Sequence, residues 1–123
     1  MRPARKRRLG LLAQRSGYVS ARYSNAAKRD LIAIYLDGEA KFGSRQAAAY
    51  TTGLGATVRM ISDYPLSSRL RTELDLPVRV RTYKAHVIIY VIEEGGVLVL
   101  RFRHGHEDWQ SDPLGGDLDK DRP

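Results

Sequence analysis

A chain of 123 residues with 42% hydrophobic and 28% charged residues fits one globular domain with a modest core, and it excludes a purely disordered or multi-domain reading. It contains no cysteine, which excludes a disulfide framework and thiolate metal ligation, so a reducing cytoplasm is the expected location. The net charge of +7 is unevenly placed, with six Lys or Arg and no acid in residues 1–17, and six acids against two bases in residues 107–123. That division suits polyanionic or acidic partners. No apolar run approaches the length of a bilayer span, and Leu9 to Ala13 is too short for a secretory core, so no membrane association is expected.

In chain order, residues 1–17 read as a basic, flexible arm whose clustered charges repel one another and whose only anchors are Leu9, Leu11 and Leu12. Such an arm offers non-specific contacts to nucleic-acid phosphates, or is a dispensable extension. The folded domain is expected over residues 18–110, followed by an acidic, frayed tail over 111–123. Tyr18 to Ser24 alternates as a strand does, and Ser24 is placed to cap a helix running from Asn25 to Phe42. Ala27, Leu31, Ile34, Tyr35, Gly38 and Phe42 give that helix one apolar stripe, and Gly43 ends it. Ser44 is the expected cap of a second helix reaching Tyr64. Its Ala47, Thr51, Leu54, Val58 and Ile61 form the seam of an antiparallel helical hairpin. Gly53 and Gly55 soften its middle unless packing requires them. Tyr64-Pro65 stops the helix, and a connector with Arg69, Arg71, Glu73 and Asp75 leads to Pro77.

Two β-hairpins follow. If Lys84-Ala85 is a two-residue turn, Tyr83 faces His86 and Arg81 faces Ile88, and a turn at Gly95-Gly96 places Ile88 beside Arg101 or Arg103. One face then carries Val80, Val87, Ile89, Val91, Leu98, Leu100 and Phe102. This apolar face is expected to be sealed by the helices. The reverse carries Arg79, Arg81, Tyr83, His86, Ile88, Tyr90, Val99, Arg101 and Arg103, which reads either as a recognition surface or as an ordinary exposed face with arginine stems lying over valines. The order of elements gives an α+β two-layer sandwich, β-α-α-β-β-β, with a helical hairpin on a mainly antiparallel sheet.

Nothing in the sequence forms a strong catalytic or cofactor motif, and no cofactor or metal is expected. His104 and His106, with Glu107 or Asp108, have a spacing compatible with chelation but lack further ligands. The same histidines beside arginines have the chemistry to cleave RNA by moving a 2′-hydroxyl proton. The plain alternative is that they end the strand and bond into a C-terminal turn, on which Trp109 docks.

Several segments resemble the RelE/ParE superfamily of type II toxins, and more closely its ParE branch. They are Ala27-x-x-Asp30-Leu31-x-x-Ile34, Phe42-Gly43, Gln46-Ala47-x-x-Tyr50, Ile61-x-x-x-Pro65, His86-Val-Ile-x-Tyr90 and Val99-Leu-Arg-x-x-His104-Gly-x-x-Asp108. The resemblance covers about residues 18 to 110. It implies a toxin neutralised by a cognate antitoxin, with operator DNA reached through that antitoxin. ParE-like members poison DNA gyrase by binding it, and RelE-like members cut messenger RNA in the ribosome. A binding toxin rather than an enzyme is the first expectation, because the chain lacks a lysine pair on the second helix and a terminal tyrosine. Under the nuclease alternative Arg79, Arg81, Arg103 and His104 would carry catalysis. Target or antitoxin binding is expected of Arg79, Arg81, Tyr83, His86, Tyr90, Arg101, Arg103, His104, His106, Asp108 and Trp109.

Overall fold

Residues 20–115 are described in the structure, a computed structural model of the chain. Five strands, β1 (Ser20–Tyr23), β2 (Leu70–Arg71), β3 (Val78–Tyr83), β4 (His86–Glu93) and β5 (Gly96–His104), form one sheet in the order β1-β5-β4-β3-β2. Two helices, α1 (Asn25–Phe42) and α2 (Ser44–Asp63), pack against it as an antiparallel hairpin. The α+β sandwich is as expected, with a parallel β1-β5 pair and a two-residue β2 added to the antiparallel remainder.

The local chemistry explains each boundary. Ser24 caps α1, its Oγ accepting from the Ala27 N–H at 3.0 Å. The helices are joined by Gly43 alone, whose φ of +93° suits a residue without a Cβ. No side chain caps α2, so Ser44 is its first residue rather than its cap. Ala47, Leu54, Val58 and Ile61 are buried as the seam requires, whereas Phe42 stays exposed at 62%. Close approach of β1 to β5 depends on Gly96, where a Cβ would lie 2.0 Å from the Ser20 carbonyl oxygen. The first residues of the expected strand, Tyr18 and Val19, the basic arm over residues 1–17, and the end of the acidic tail after residue 115 lie outside the described residues.

The assignment of sheet faces is corrected. The helices cover the side carrying Ile88, Tyr90, Val97, Val99 and Phe102, which packs with Ala27, Leu54, Val58 and Ile61. The side expected to meet the helices, with Val80, Ile89, Val87 and Leu100, forms a second cluster closed by Trp109 and Leu74. Two effects decide this. In β3 and β4 the arginines and polar aromatics flank a wholly apolar centre, Ile88 and Tyr90, and long side chains reach the rim while that centre is buried. In β5 a register shift opposite Ile89 and Tyr90 pairs Ile89 with Arg101 but Tyr90 with Val99, leaving Leu100 as an extra residue. The bulge turns Phe102 towards the helices, where it stacks on Tyr23 at 5.9 Å. It also sets Phe102, not Arg101 or Arg103, opposite Ile88.

Among the described residues no strand lies beside β5 beyond Val99. Ser24 and Asp30 take over the polar groups of that edge. The Ser24 N–H donates to the Val99 carbonyl at 3.0 Å, the Ser24 hydroxyl to the Leu100 carbonyl at 2.7 Å, and Asp30 accepts from the Phe102 N–H at 2.9 Å. The edge is thereby capped without a further strand, and it becomes the wall of a cleft.

Candidate functional site

The residues proposed from sequence fall into three places. At the end of the sheet where β3 and β4 turn, Tyr83, His86, His104 and His106 gather around Tyr50 of α2. The register Tyr83↔His86↔His104 brings them side by side. Tyr50 lies edge-on to Tyr83 at 5.3 Å and its Oη is 2.7 Å from His86 Nδ1. The ring centroids of His86 and His104 are 4.8 Å apart, and those of His104 and His106 3.8 Å. His104 Nδ1 is buried with no hydrogen-bond partner. Burial, reinforced by His104, lowers the pKa of His86 below the ordinary imidazole value. Burial also raises that of the Tyr50 phenol.

Arg101 and Arg103 form the second place, the wall of a cleft of about 410 Å³ that His86 and His104 share with Asp30, Ile34, Phe102 and Glu107. Arg101 clasps Asp30 through Nε at 2.7 Å and Nη2 at 2.9 Å, and donates to the Leu114 carbonyl. Arg103 donates to Glu107 at 2.6 Å and to the carbonyls of Asp112 and Pro113. The arginine side chains are only 11% and 14% exposed. They therefore fold the C-terminal turn back on the sheet. Burial works to raise the Glu107 carboxyl, yet Arg103 and the His104 N–H hold it below the usual carboxylate range.

Arg79, Arg81 and Tyr90 lie in the third place, beneath the connector. Arg79 donates to the Ser68 carbonyl at 2.6 Å, Arg81 to Ser67 and to Met60 Sδ, and the fully buried Tyr90 to the Pro65 carbonyl at 2.9 Å. Arg69 and Arg71 both hold Glu73, whose pKa falls to about 2. Asp108 accepts from Ser111, and Trp109 is buried on Val78, Val87 and Ile89 with Arg71 above its ring at 5.7 Å. The eleven residues do not form one surface.

Sequence reasoning missed Tyr50 and Asp30 as members of the site, and weighed Glu107 only as a metal ligand. Tyr50 follows Ala47 by three residues and precedes Leu54 by four, so the helical stripe already placed it towards the sheet. Among the described residues no group of three or more His, Asp or Glu is placed to hold a metal ion. At the end of β5 the His104 N–H donates to Glu107 at 3.1 Å.

A family model described as ParE toxin of type II toxin-antitoxin system, parDE, matches residues 21–109. The chain belongs to the ParE toxin family. Among solved structures it is similar to one titled "Chromosomal ParDE TA system from P. aeruginosa", at 19% identity and a TM-score of 0.62, covering 71% of this chain and 96% of that one. No curated protein sequence matches the chain. The ParE match ends at Trp109, the residue that closes the second cluster. No helix among the described residues of this ParE protein is long and apolar enough to cross a membrane.

Proposed function

We propose that this ParE-family protein is a toxin that acts by binding a protein target, DNA gyrase, in the cytoplasm, and that a cognate antitoxin neutralises it. The observation that carries a binding mode is the commitment of the arginines that catalysis would need. Arg79 and Arg81 are tied to Ser68, Ser67 and Met60, and Arg103 is tied to Glu107 and two carbonyls. A phosphorane requires guanidinium groups converging on one point, and these point to two different rims.

Purified toxin added to a gyrase supercoiling reaction tests the target. Loss of supercoiling supports the reading, and full gyrase activity at saturating toxin overturns it. The histidine cluster beside Tyr50 favours a second reading, a ribosome-dependent messenger-RNA nuclease, because it places imidazoles in an open cleft. Primer extension on translated messages separates the two, since only cleavage leaves new 5′ ends.

For the antitoxin, a groove of about 340 Å³ on the outer side of the helical hairpin, lined by Leu31, Ile32, Tyr35, Leu36, Thr51 and Gly55, supports docking of an amphipathic segment. Ile32 and Leu36 are 60% and 55% exposed there, one helical turn apart. The basic body favours a segment that is acidic in part and orders as it docks, with operator DNA held through the antitoxin's other half. Size-exclusion chromatography of the two co-expressed proteins, with Leu36→Glu as the variant, tests the groove: the complex is expected to form with the parent chain and to fail with the variant.

A further inference from the structure

We propose that Tyr50, His86, His104 and His106 form a proton-sensitive latch, which holds the turn of residues 105–109 against the sheet at neutral pH and loosens it on acidification. The inference starts from which nitrogens carry protons. The Ala85 N–H donates to Tyr50 Oη at 3.2 Å, so the phenol is free to donate its own proton to His86 Nδ1, 2.7 Å away. His86 is thereby held as a neutral imidazole protonated at Nε2. His104 Nδ1 is buried without a partner, and a proton placed there would be an unsatisfied buried cation. One ring is thus engaged through its unprotonated nitrogen, and a second buries a nitrogen that has no hydrogen-bond partner. The third, His106, is exposed, with its ring centroid 3.8 Å from that of His104 and the two planes tilted by 49°.

Protons added to this cluster find no compensation. The groups facing the cluster are Asp30 and Asp37 from α1, Tyr50 from α2, Tyr83 and Lys84 from β3 and its turn, Arg101 and Arg103 from β5, and Glu107 from the turn. Asp30 is engaged by Arg101 and the Phe102 N–H, Asp37 by Lys41, and Glu107 by Arg103 and the His104 N–H. The nearby cations add to the repulsion. Protonated His86 also forfeits the Tyr50 bond unless the phenol turns its proton towards the Tyr83 carbonyl at 3.5 Å. Two imidazolium rings this close then repel, and the cheapest motion separates His106 from His104.

That motion is transmitted along the turn. Gly105 bonds the Ala85 carbonyl at 2.7 Å, Glu107 the His104 carbonyl at 3.1 Å, and Trp109 lies three residues beyond His106 on the apolar cluster of Val78, Val87 and Ile89. The carbonyls of Asp112, Pro113 and Leu114 stay on Arg103 and Arg101, whose charge does not change in this range, so the loosened segment remains tethered. Acidification consequently uncovers part of the far sheet face without unfolding the domain.

Trp109 is the only tryptophan of the chain, which makes the latch directly readable. The full chain is titrated from pH 7.5 to 5.5 while Trp109 emission and far-ultraviolet circular dichroism are recorded together. A red shift of emission with unchanged dichroism is expected, and His106→Gln should require at least threefold more acid to reach its midpoint. His86→Gln, which keeps an acceptor for Tyr50, should do the same and guards against a folding defect in either variant. Emission that does not move with pH, emission that moves only together with dichroism, or both variants titrating like the parent would each overturn the latch. None of these readouts involves gyrase or an antitoxin, so the toxin reading stands or falls separately.

Discussion

Gly53 and Gly55 lie two residues apart in the middle of α2, and replacing each by alanine should have opposite effects. Alanine is favoured over glycine in a helix interior by about 1 kcal/mol, and this gain applies at both positions. At Gly55 a new Cβ meets nothing within 4 Å, so Gly55→Ala should stabilise the domain by about that amount. At Gly53 the same Cβ would lie 1.9 Å from Tyr83 Oη and 2.6 Å from its Cζ, distances no side chain tolerates. Tyr83 must move, and its ring is fixed edge-on to Tyr50 at 5.3 Å, which in turn bonds His86. Overpacking of this kind costs about 1–3 kcal/mol, which leaves Gly53→Ala between neutral and about 2 kcal/mol destabilised. Urea midpoints of the two variants at constant slope measure the difference. Tyr83→Ala supplies the second arm, because in that background Gly53→Ala should become stabilising like Gly55→Ala. Equal shifts of the same sign in the parent chain, or no change of sign in the Tyr83→Ala background, would refute the packing argument.

Asp30→Ala should be among the costlier single changes, at about 3–5 kcal/mol, since it removes the carboxylate that both the largely buried Arg101 and the Phe102 N–H bond; thermal denaturation beside Asp30→Asn, which keeps an acceptor, checks it. Arg79→Glu combined with Arg81→Glu should destabilise by about 1–3 kcal/mol and speed amide exchange in residues 65–71, because these arginines staple the connector. Unchanged exchange there would mean the bonds contribute nothing. For pH, the folded pKa of His86 is depressed below its unfolded value, so the unfolded chain binds the proton more readily. Stability is then fully present above the unfolded pKa of about 6.5 and is lost as pH falls through it towards the folded value. Urea midpoints at pH 7.5 and 5.5 should show this fall, and His86→Gln should reduce it.

The order of elements was legible because each rests on local chemistry: the Ser24 cap, the seam of Ala47, Leu54, Val58 and Ile61, and the Lys84-Ala85 turn that sets Tyr83 opposite His86. Which face the helices would cover was not legible. Alternation along β3 and β4, and along β5 as far as Val99, correctly separates two rows, but the row with more apolar residues is not the row that meets the helices. A recognition surface built on Arg79, Arg81, Arg101 and Arg103 together is therefore absent. The first two serve the connector and the last two the C-terminal turn.

The single residue behind much of that difference is Leu100. An unbroken β5 would keep the parity of its side chains from Val97 to His104, so Phe102 would share a face with Leu98 and Leu100, and the histidine at 104 would follow it away from the helices. The bulge reverses the parity after Val99, which puts Phe102 into the helix-facing core and His104 beside His86 and Tyr50. It also frees the stretch of edge that Ser24 and Asp30 cap. Sequence periodicity has no term for an inserted residue within a run of β-branched and aromatic side chains, because every register of such a run looks equally apolar. Deleting Leu100 should consequently remove the bulge yet keep the faces, since Val99 would then precede Arg101 directly, with Tyr90 still opposite Val99 and Ile89 still opposite Arg101. The deletion variant should therefore fold with Phe102 on the helix side, at a cost of about 1–3 kcal/mol for the lost burial, close to that of Leu100→Ala. A deletion variant without a cooperative melting transition, beside a folded Leu100→Ala, would show that this pairing does not by itself set the faces of the sheet.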